Sequence, residues 1–331
     1  MNRLRIYAQK GRYAQNDRGA ALITVLLLVA VMAAGATLTF EALGYSIKRS
    51  TARRIFDQAQ YYALGGEQLA LAAAEKLHKS NAQLLEPKAV SYPIEGGRID
   101  GVIEDGSNCF NINSLVERRQ EGLVERDVTA GQYIRLLTML GYANRQARRL
   151  SAALVDWLDS DNRPSPLGAE DFDYSNLTPP YRTADSLIAD ITELYLIRGY
   201  TPEVMAAIVP YLCVADNTAQ MTLNVNGLKP ADALLLSVLV GGKFNLKAAS
   251  EAIAVRPPGG YSDIADFWRE KAFSGFVVDQ AVRAQTTVKP HRFVSRVRVQ
   301  YHEAVSHLTS VIDVDDAGKS KLGSHQFGVI Q

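Results

Sequence analysis

From Ala20 to Phe40 the chain reads AALITVLLLVAVMAAGATLTF, without one charged residue. At 1.5 Å per residue a helix of about 21 residues spans about 30 Å, the thickness of a bilayer core. Hydrocarbon supplies no hydrogen-bond partners for the backbone, so such a segment is stable there only as a helix. Five basic residues (Arg3, Arg5, Lys10, Arg12, Arg18) and one acid (Asp17) precede it, and Glu41 follows. The positive-inside bias therefore puts the N-terminus in the cytoplasm and everything after residue 41 outside. A cleaved secretory signal would have a shorter apolar run with a small-x-small site at its far end, where ATLTFEALG offers poor candidates. A buried core helix fits less well still, because no face of the run is interrupted.

Helical character continues past the membrane surface. Ile55, Ala59, Tyr62, Gly66, Leu69, Ala73 and Leu77 recur at spacings of three and four. This predicts an amphipathic helix to about residue 79 with one face on a soluble domain. Gly65 and Gly66 weaken it locally. The whole element would be roughly 60 residues long, about 90 Å if straight.

Beyond it, KAVSYPIEGGRIDGVIED (88–105) places two β-prone runs around Glu95-Gly96-Gly97, a hairpin signal. RFVSRVRVQY and HLTSVIDV alternate likewise, with Val297, Val299 and Tyr301 on one face and a turn expected around Glu303 to Ser306. These runs predict a small antiparallel sheet whose apolar face covers the long helix. Residues 109–287, almost 180 between the hairpins, are too many for a structureless loop and read as an inserted helical domain. Within it FNINSL (110–115) is echoed by LNVNGL (223–228), each followed by a leucine-rich helix. Thr129 is the expected N-cap of the first and Pro230 a first-turn residue of the second. The paired asparagines read as backbone-binding rather than chemical groups.

The chain has 331 residues, 47% hydrophobic, with 36 Lys+Arg against 35 Asp+Glu. Without residues 1–19 the balance is 36 − 5 = 31 basic against 35 − 1 = 34 acidic, a net charge of −3 that disfavours nucleic acid. His78, His291, His302, His307 and His325 show no metal or triad spacing, and His302 and His307 read as a solvated strand pair. No nucleophile elbow, phosphate loop or zinc-protease signature marks an enzyme. In an oxidising compartment Cys109 and Cys213 pair as a disulfide; two buried free thiols are the alternative. DSDNRPSPLGAED (159–171) puts Asp159, Asp161 and Glu170 at the first, third and twelfth places of an EF-hand-like count, but Arg163 and Pro164 break that pattern. On spacing alone the loop either binds Ca²⁺, with Asp171, Asp156 and carbonyls near Gly168 completing the shell, or is a solvated acidic loop with Arg163 pairing one acid.

A short basic leader ending in Arg18-Gly19, directly followed by an apolar helix that runs into a soluble domain, resembles the prepilin class. There a membrane prepilin peptidase cuts after the glycine, here between Gly19 and Ala20, and the new N-terminus is methylated. Most members carry glutamate five residues after the cut, where this chain has Thr24. That departure, together with QAQYYALGGEQLA (58–70), FNINSL, DWLDSD, GAED, PPYR and ITELYLIRG in this order, resembles the K-type minor pseudopilins of type II secretion systems. The resemblance implies an α+β fold: a long N-terminal transmembrane/amphipathic helix packed on a small antiparallel, pilin-like sheet. A large inserted all-helical domain of two SAM-like or helix-hairpin-helix-like subdomains completes it. The expected divisions are a cleaved leader (1–19), a transmembrane helix (20–40), pilin-like helix and first hairpin (41–108), a first helical subdomain with the acidic loop (109–222), a second (223–287), and C-terminal strands with a tail (288–331). It further implies a non-enzymatic, single-pass inner-membrane protein with its soluble part in the periplasm, at the pseudopilus tip with I-type and J-type minor pseudopilins above the other pseudopilins. Family members bind calcium in the acidic loop. The alternative is a membrane-anchored helix-hairpin-helix protein of DNA uptake, although Val240-Gly241-Gly242-Lys243 replaces the Gly-x-Gly turn that such modules present to phosphate.

Overall fold

The structure, a computed structural model, describes residues 13–80 and 84–328, with side chains from Gly19 onward. The leader residues Arg3, Arg5, Lys10 and Arg12 lie outside the described residues. Helix α1 (Tyr13–Lys79) is one unbroken element of 67 residues, ending where the periodicity predicts. Its apolar segment stands clear of the rest of the protein, with Leu22, Leu26 and Leu38 each at least 60% exposed. The hydroxyls of Thr24, Thr37 and Thr39 donate back to carbonyls of the preceding turn at 2.7–2.9 Å, so none needs a partner from the surroundings.

Strands β1 (Lys88–Ile94) and β2 (Gly97–Asp105) form the expected hairpin, with Gly96 at φ +80° in its two-residue turn. The insert follows: β3 (Phe110–Asn111), β4 (Val116–Arg119), β5 (Gly122–Glu125), α2 (Asp127–Met139), α3 (Asn144–Leu158), α4 (Asp171–Ser175), α5 (Pro202–Ile208) and β6 (Leu212–Cys213). Its second half holds β7 (Leu223–Asn224), α6 (Ala233–Val240), α7 (Leu246–Ala254), α8 (Ile264–Trp268), α9 (Gln280–Arg283) and β8 (Thr286–Thr287). The chain then returns through β9 (Arg292–Tyr301), β10 (Ala304–Val314) and β11 (Ser320–Phe327). The main sheet is antiparallel throughout in the order β1-β2-β9-β10-β11.

Helix α1 meets this sheet through small residues. Ala59 and Ala63 pack on Val297, Val299 and Leu308; two turns higher Ala70 and Ala74 pack on Ile103, Phe293 and Ile312. Between the two clusters Gly66 passes so close that a Cβ there would lie 2.7 Å from Val297 Cγ1. Gly66 is thus where the helix touches the sheet. Glu67, buried beside it, accepts from Ser310 Oγ (2.5 Å) and faces His325 Nδ1 (2.9 Å). Leu69, part of the predicted inner stripe, is 55% exposed.

Four further expectations need correction. The insert is not all helical, because the β4–β5 hairpin and two short parallel bridges, β3 with β6 and β7 with β8, tie it together. Thr129 does not cap α2: Arg126 holds the cap position and Thr129 is buried in the first turn. The last hairpin turns at His302-Glu303 rather than over 303–306, with His302 at φ +50° against Tyr301. His302 and His307 are therefore no strand pair; His307 lies opposite Arg298.

The insert leaves the sheet between paired neighbours, since Asp105 at the end of β2 lies opposite Phe293 at the start of β9. This is also the end reached by the last turn of α1, where His78 Nδ1 meets the Pro290 carbonyl at 2.8 Å. The insert thus sits at the end of the rod farthest from the apolar segment, about 60 Å along the helix from Phe40. Asn224 donates to Asp105 (2.7 Å) and Lys321 pairs with Asp216 (2.6 Å) across the junction.

Candidate functional site

Helix α3 buries Leu150, Ala153, Leu154, Trp157 and Leu158 in the core of the insert. That placement fixes where its acids emerge: Asp156 in the last turn and Asp159 just past the end are both buried. Eleven residues on, Glu170 begins α4 through a reciprocal cap, its carboxylate taking the Asp171 N–H (3.3 Å) while Asp173 takes its own (3.2 Å). Carboxylate oxygens of Asp159, Asp161 and Glu170 consequently lie within 4.8 Å of one another. Asp161 is exposed; Asp159 and Glu170 are 7% and 3% exposed.

Asp159 Oδ1 and Glu170 Oε1 are buried with no hydrogen-bond partner. Burial, then the charges of Asp161, Asp156, Glu170 and Asp185, push the Asp159 carboxyl up to about 7. Glu170 is also raised to about 7, by burial first and then by the neighbouring acids. Two unpartnered oxygens buried in a cluster of acids are unfavourable as carboxylates unless the groups keep a proton or share a cation. Hard oxygen donors of this kind fit Ca²⁺.

The other two expected ligands are engaged elsewhere. Asp156 accepts from Ser165 N–H through both oxygens (3.1 and 3.2 Å), and burial raises it. Asp171 accepts from Thr183 N–H (3.0 Å) and Oγ1 (2.9 Å). The Gly168 carbonyl is taken by the Arg198 guanidinium, and Arg163 gives its backbone N–H to Asp161 (2.8 Å). Asp185, at φ +48° with its N–H on the Trp157 carbonyl (3.1 Å), is a contributor that sequence reasoning missed. Nothing in its spacing ties it to residues 159–170. The loop is braced from behind by Trp157 edge-on to Tyr174 (5.4 Å), by Tyr174 stacked on Tyr181 (5.3 Å), and by the Arg198–Asp173 pair (2.6 Å).

The two Asn-x-Asn segments organise the halves of the insert identically. Asn113 Nδ2 donates to the carbonyls of Ile188 (2.8 Å) and Ala215 (2.7 Å), and its Oδ1 accepts from Ile188 N–H (2.9 Å). Asn226 Nδ2 donates to Tyr261 and Val288 carbonyls (both 2.9 Å), and its Oδ1 accepts from Tyr261 N–H (2.8 Å). Asn111 and Asn224 each accept from the amide two residues on (3.2 Å). Each set joins the start of a half to its middle and end, as the echo in sequence suggests. Cys109 and Cys213 form a disulfide with Cα atoms 5.6 Å apart, beside the bridge that closes the first half. At the α6–α7 turn, Arg135 donates to the Val238 carbonyl (2.6 Å) and lies against Gly241. Of the glycine turn that a DNA-uptake module would offer to phosphate, Gly241 is thus buried against α2, while Gly242 and Lys243 are exposed.

A membrane-length helix that packs through small residues on an antiparallel sheet, and carries its bulk at the far end, defines a pilin-like assembly subunit. Two family models, each described as type II secretion system protein K, match residues 108–217 and 223–289. Type II secretion system protein K of Klebsiella pneumoniae is 32% identical over 322 residues, covering 95% of each chain. That of Pectobacterium carotovorum subsp. carotovorum is 30% identical over 320 residues, 94% of this chain and 97% of the relative. A chain in the crystal structure of the GspK-GspI-GspJ complex from enterotoxigenic Escherichia coli superposes with a TM-score of 0.72 at 23% identity, over 85% of this chain and all of that one. The chain belongs to the type II secretion system protein K family, the K-type minor pseudopilins.

Proposed function

We propose that the protein caps the tip of the periplasmic pseudopilus, in complex with I-type and J-type minor pseudopilins, and does no chemistry of its own. The observation that carries this role is the position of the insert, nearly 180 residues mounted beyond the last turn of α1. In a fibre built by stacking, a subunit so crowned leaves no room for another above it. It can end the fibre but not fill its shaft. The assembly of a structurally similar chain with GspI and GspJ supports the choice of partners.

Prepilin peptidase removes residues 1–19, so the mature chain starts at Ala20 and stays anchored in the inner membrane with its N-terminus cytoplasmic. The insert divides into subdomains at 109–222 and 223–287, in keeping with the ranges of the two family models. Asp159, Asp161 and Glu170 would hold Ca²⁺ as a structural ion, offsetting carboxylate repulsion in a loop too rich in proline to be helical. Asp156 and Asp171 would shape that loop through Ser165 and Thr183.

Co-expression with the I-type and J-type subunits, followed by size-exclusion chromatography in detergent, tests the role. A single ternary species is expected; partners that co-elute without this chain overturn it. Mass spectrometry of the same preparation should show Ala20 first. A start within residues 41–50 would mean a cleaved secretory signal.

A further inference from the structure

The insert and the rod share no apolar core. Every buried residue of the insert's cluster lies between Phe110 and Val278, whereas the two clusters under α1 draw on α1, Leu84 and the main sheet. The two bodies meet along one narrow strip, where the outgoing residues 106–108 lie beside the returning residues 290–292. Gly106 N–H donates to the Arg292 carbonyl (3.0 Å), and Ser107 Oγ accepts from the amides of His291 (3.0 Å) and Arg292 (3.2 Å). Asn108 exchanges hydrogen bonds with the backbone of Asn224 (2.8 and 3.3 Å).

Beside the strip the packing is open. A polar cleft of 240 Å³ separates Asn217 and Thr222 of the insert from His291 and Lys321 of the rod. A second, of 330 Å³, separates Leu187 and Val214 from Val311 and Gly323. His291 Nδ1 is buried here without a hydrogen-bond partner. Asp216 borders both clefts and reaches across to Lys321 of β11 at 2.6 Å, with side chains 46% and 71% exposed. An ion pair so exposed is weak and screened by salt. Interiors that behave as one body are close-packed, whereas bodies joined across a polar seam move relative to each other.

We propose that the Lys321–Asp216 pair is a salt-sensitive latch, and that when it opens the insert tilts as a rigid body on the rod about residues 106–108 and 290–292. The tilt disturbs neither core, because both clefts lie between the bodies. It also gives the disulfide a second role. Cys109, one residue past the strip, is bonded to Cys213, three residues before Asp216, so the latch residue is tied to the pivot and moves with the insert. In a fibre the rod is held by its neighbours, and the tilt then sets the direction in which the insert faces. This goes beyond the tip role and does not depend on it.

Pulsed electron-electron resonance on the full chain in detergent, with calcium held constant, tests the latch. Both native cysteines are bonded, so spin labels can be placed at Lys247→Cys on α7 and Glu303→Cys at the β9–β10 turn, both exposed. At low salt the wild-type latch should give one dominant distance. Asp216→Lys should shift population to a second distance, and the exchange Asp216→Lys/Lys321→Asp should restore the first. About 0.5 M sodium chloride should reproduce the shift with the latch residues unaltered, and should leave Asp216→Lys as it was. A second label pair within the insert, Arg118→Cys with Lys247→Cys, should read one distance throughout. The same distribution at low and high salt and in Asp216→Lys overturns the hinge. An equal change in the pair within the insert also overturns it, since the insert itself would then be opening. Failure of the exchange to restore the first distance overturns the latch.

Discussion

Removing calcium from the acidic loop should make stability fall as pH rises, the reverse of what ion-paired acids do. Asp159 moves from its ordinary 3.8 to about 7, and Glu170 from 4.5 to about 7, with burial the largest cause for both. Near pH 4 and below, folded and unfolded chains both keep these protons, and the cluster carries no penalty. Between about 4 and 7 the unfolded chain has released protons that the fold retains, so each rise in pH favours unfolding; above 7 the loss is complete. One unit corresponds to about 1.4 kcal/mol, so Asp159 alone costs the metal-free fold on the order of 4 kcal/mol, reduced to roughly 2–3 by water at the exposed Asp161 edge. For a soluble part of this size that is roughly 5–10 °C in Tm. Thermal melts of the detergent-solubilised chain with EGTA should therefore show Tm rising from pH 7.5 to 5.5. Added calcium should restore stability at pH 7.5 and do less at 5.5, where protons compete for the same oxygens. Asp159→Asn separates the causes: it should raise the metal-free Tm at pH 7.5 and abolish the calcium response. A metal-free Tm flat across this range, no response to calcium, and no calcium by elemental analysis would together refute both the raised titration of these acids and a bound ion.

Asn113→Ala and Asn226→Ala should each cost about 3 kcal/mol or more in denaturant melts, because each strands two buried carbonyls and an amide. A loss below 1 kcal/mol in both would remove the asparagines from the framework of the insert. Replacing Cys109 and Cys213 with alanine should lower stability by up to about 4.7 kcal/mol, since the bridge closes a loop with a sequence separation of 104; melts with and without reductant check it. Gly66→Val should cost about 1–3 kcal/mol by pushing α1 off Val297, while Gly65→Val, with nothing within 4 Å of its Cβ, should cost under about 1 kcal/mol.

Local rules were enough for much of the chain. The uncharged run and the period of α1 depend on nearest neighbours along the helix, and the helix ends at Lys79 as read. The hairpin at Glu95-Gly96 needs only alternation and a glycine that accepts φ +80°. The asparagine echo and the EF-hand-like count are likewise patterns in one dimension, and the structure gathers Asp159, Asp161 and Glu170 accordingly.

The remainder depended on where the chain returns. Thr129 looked like a cap because a hydroxyl before a leucine-rich run usually is one, but the β4–β5 hairpin starts α2 three residues earlier, with Arg126 at the cap position, and Thr129 is buried. Asp185 joins the acidic cluster only because its backbone docks on Trp157. Asp171 turns to Thr183, a residue that no local count connects with it. Periodicity reports that a side chain avoids water without saying what covers it, so Leu69 and Ala70 look alike in sequence. Only the width of a five-stranded sheet, with its hairpin projecting beyond the helix, decides that Ala70 is core and Leu69 is left at the surface.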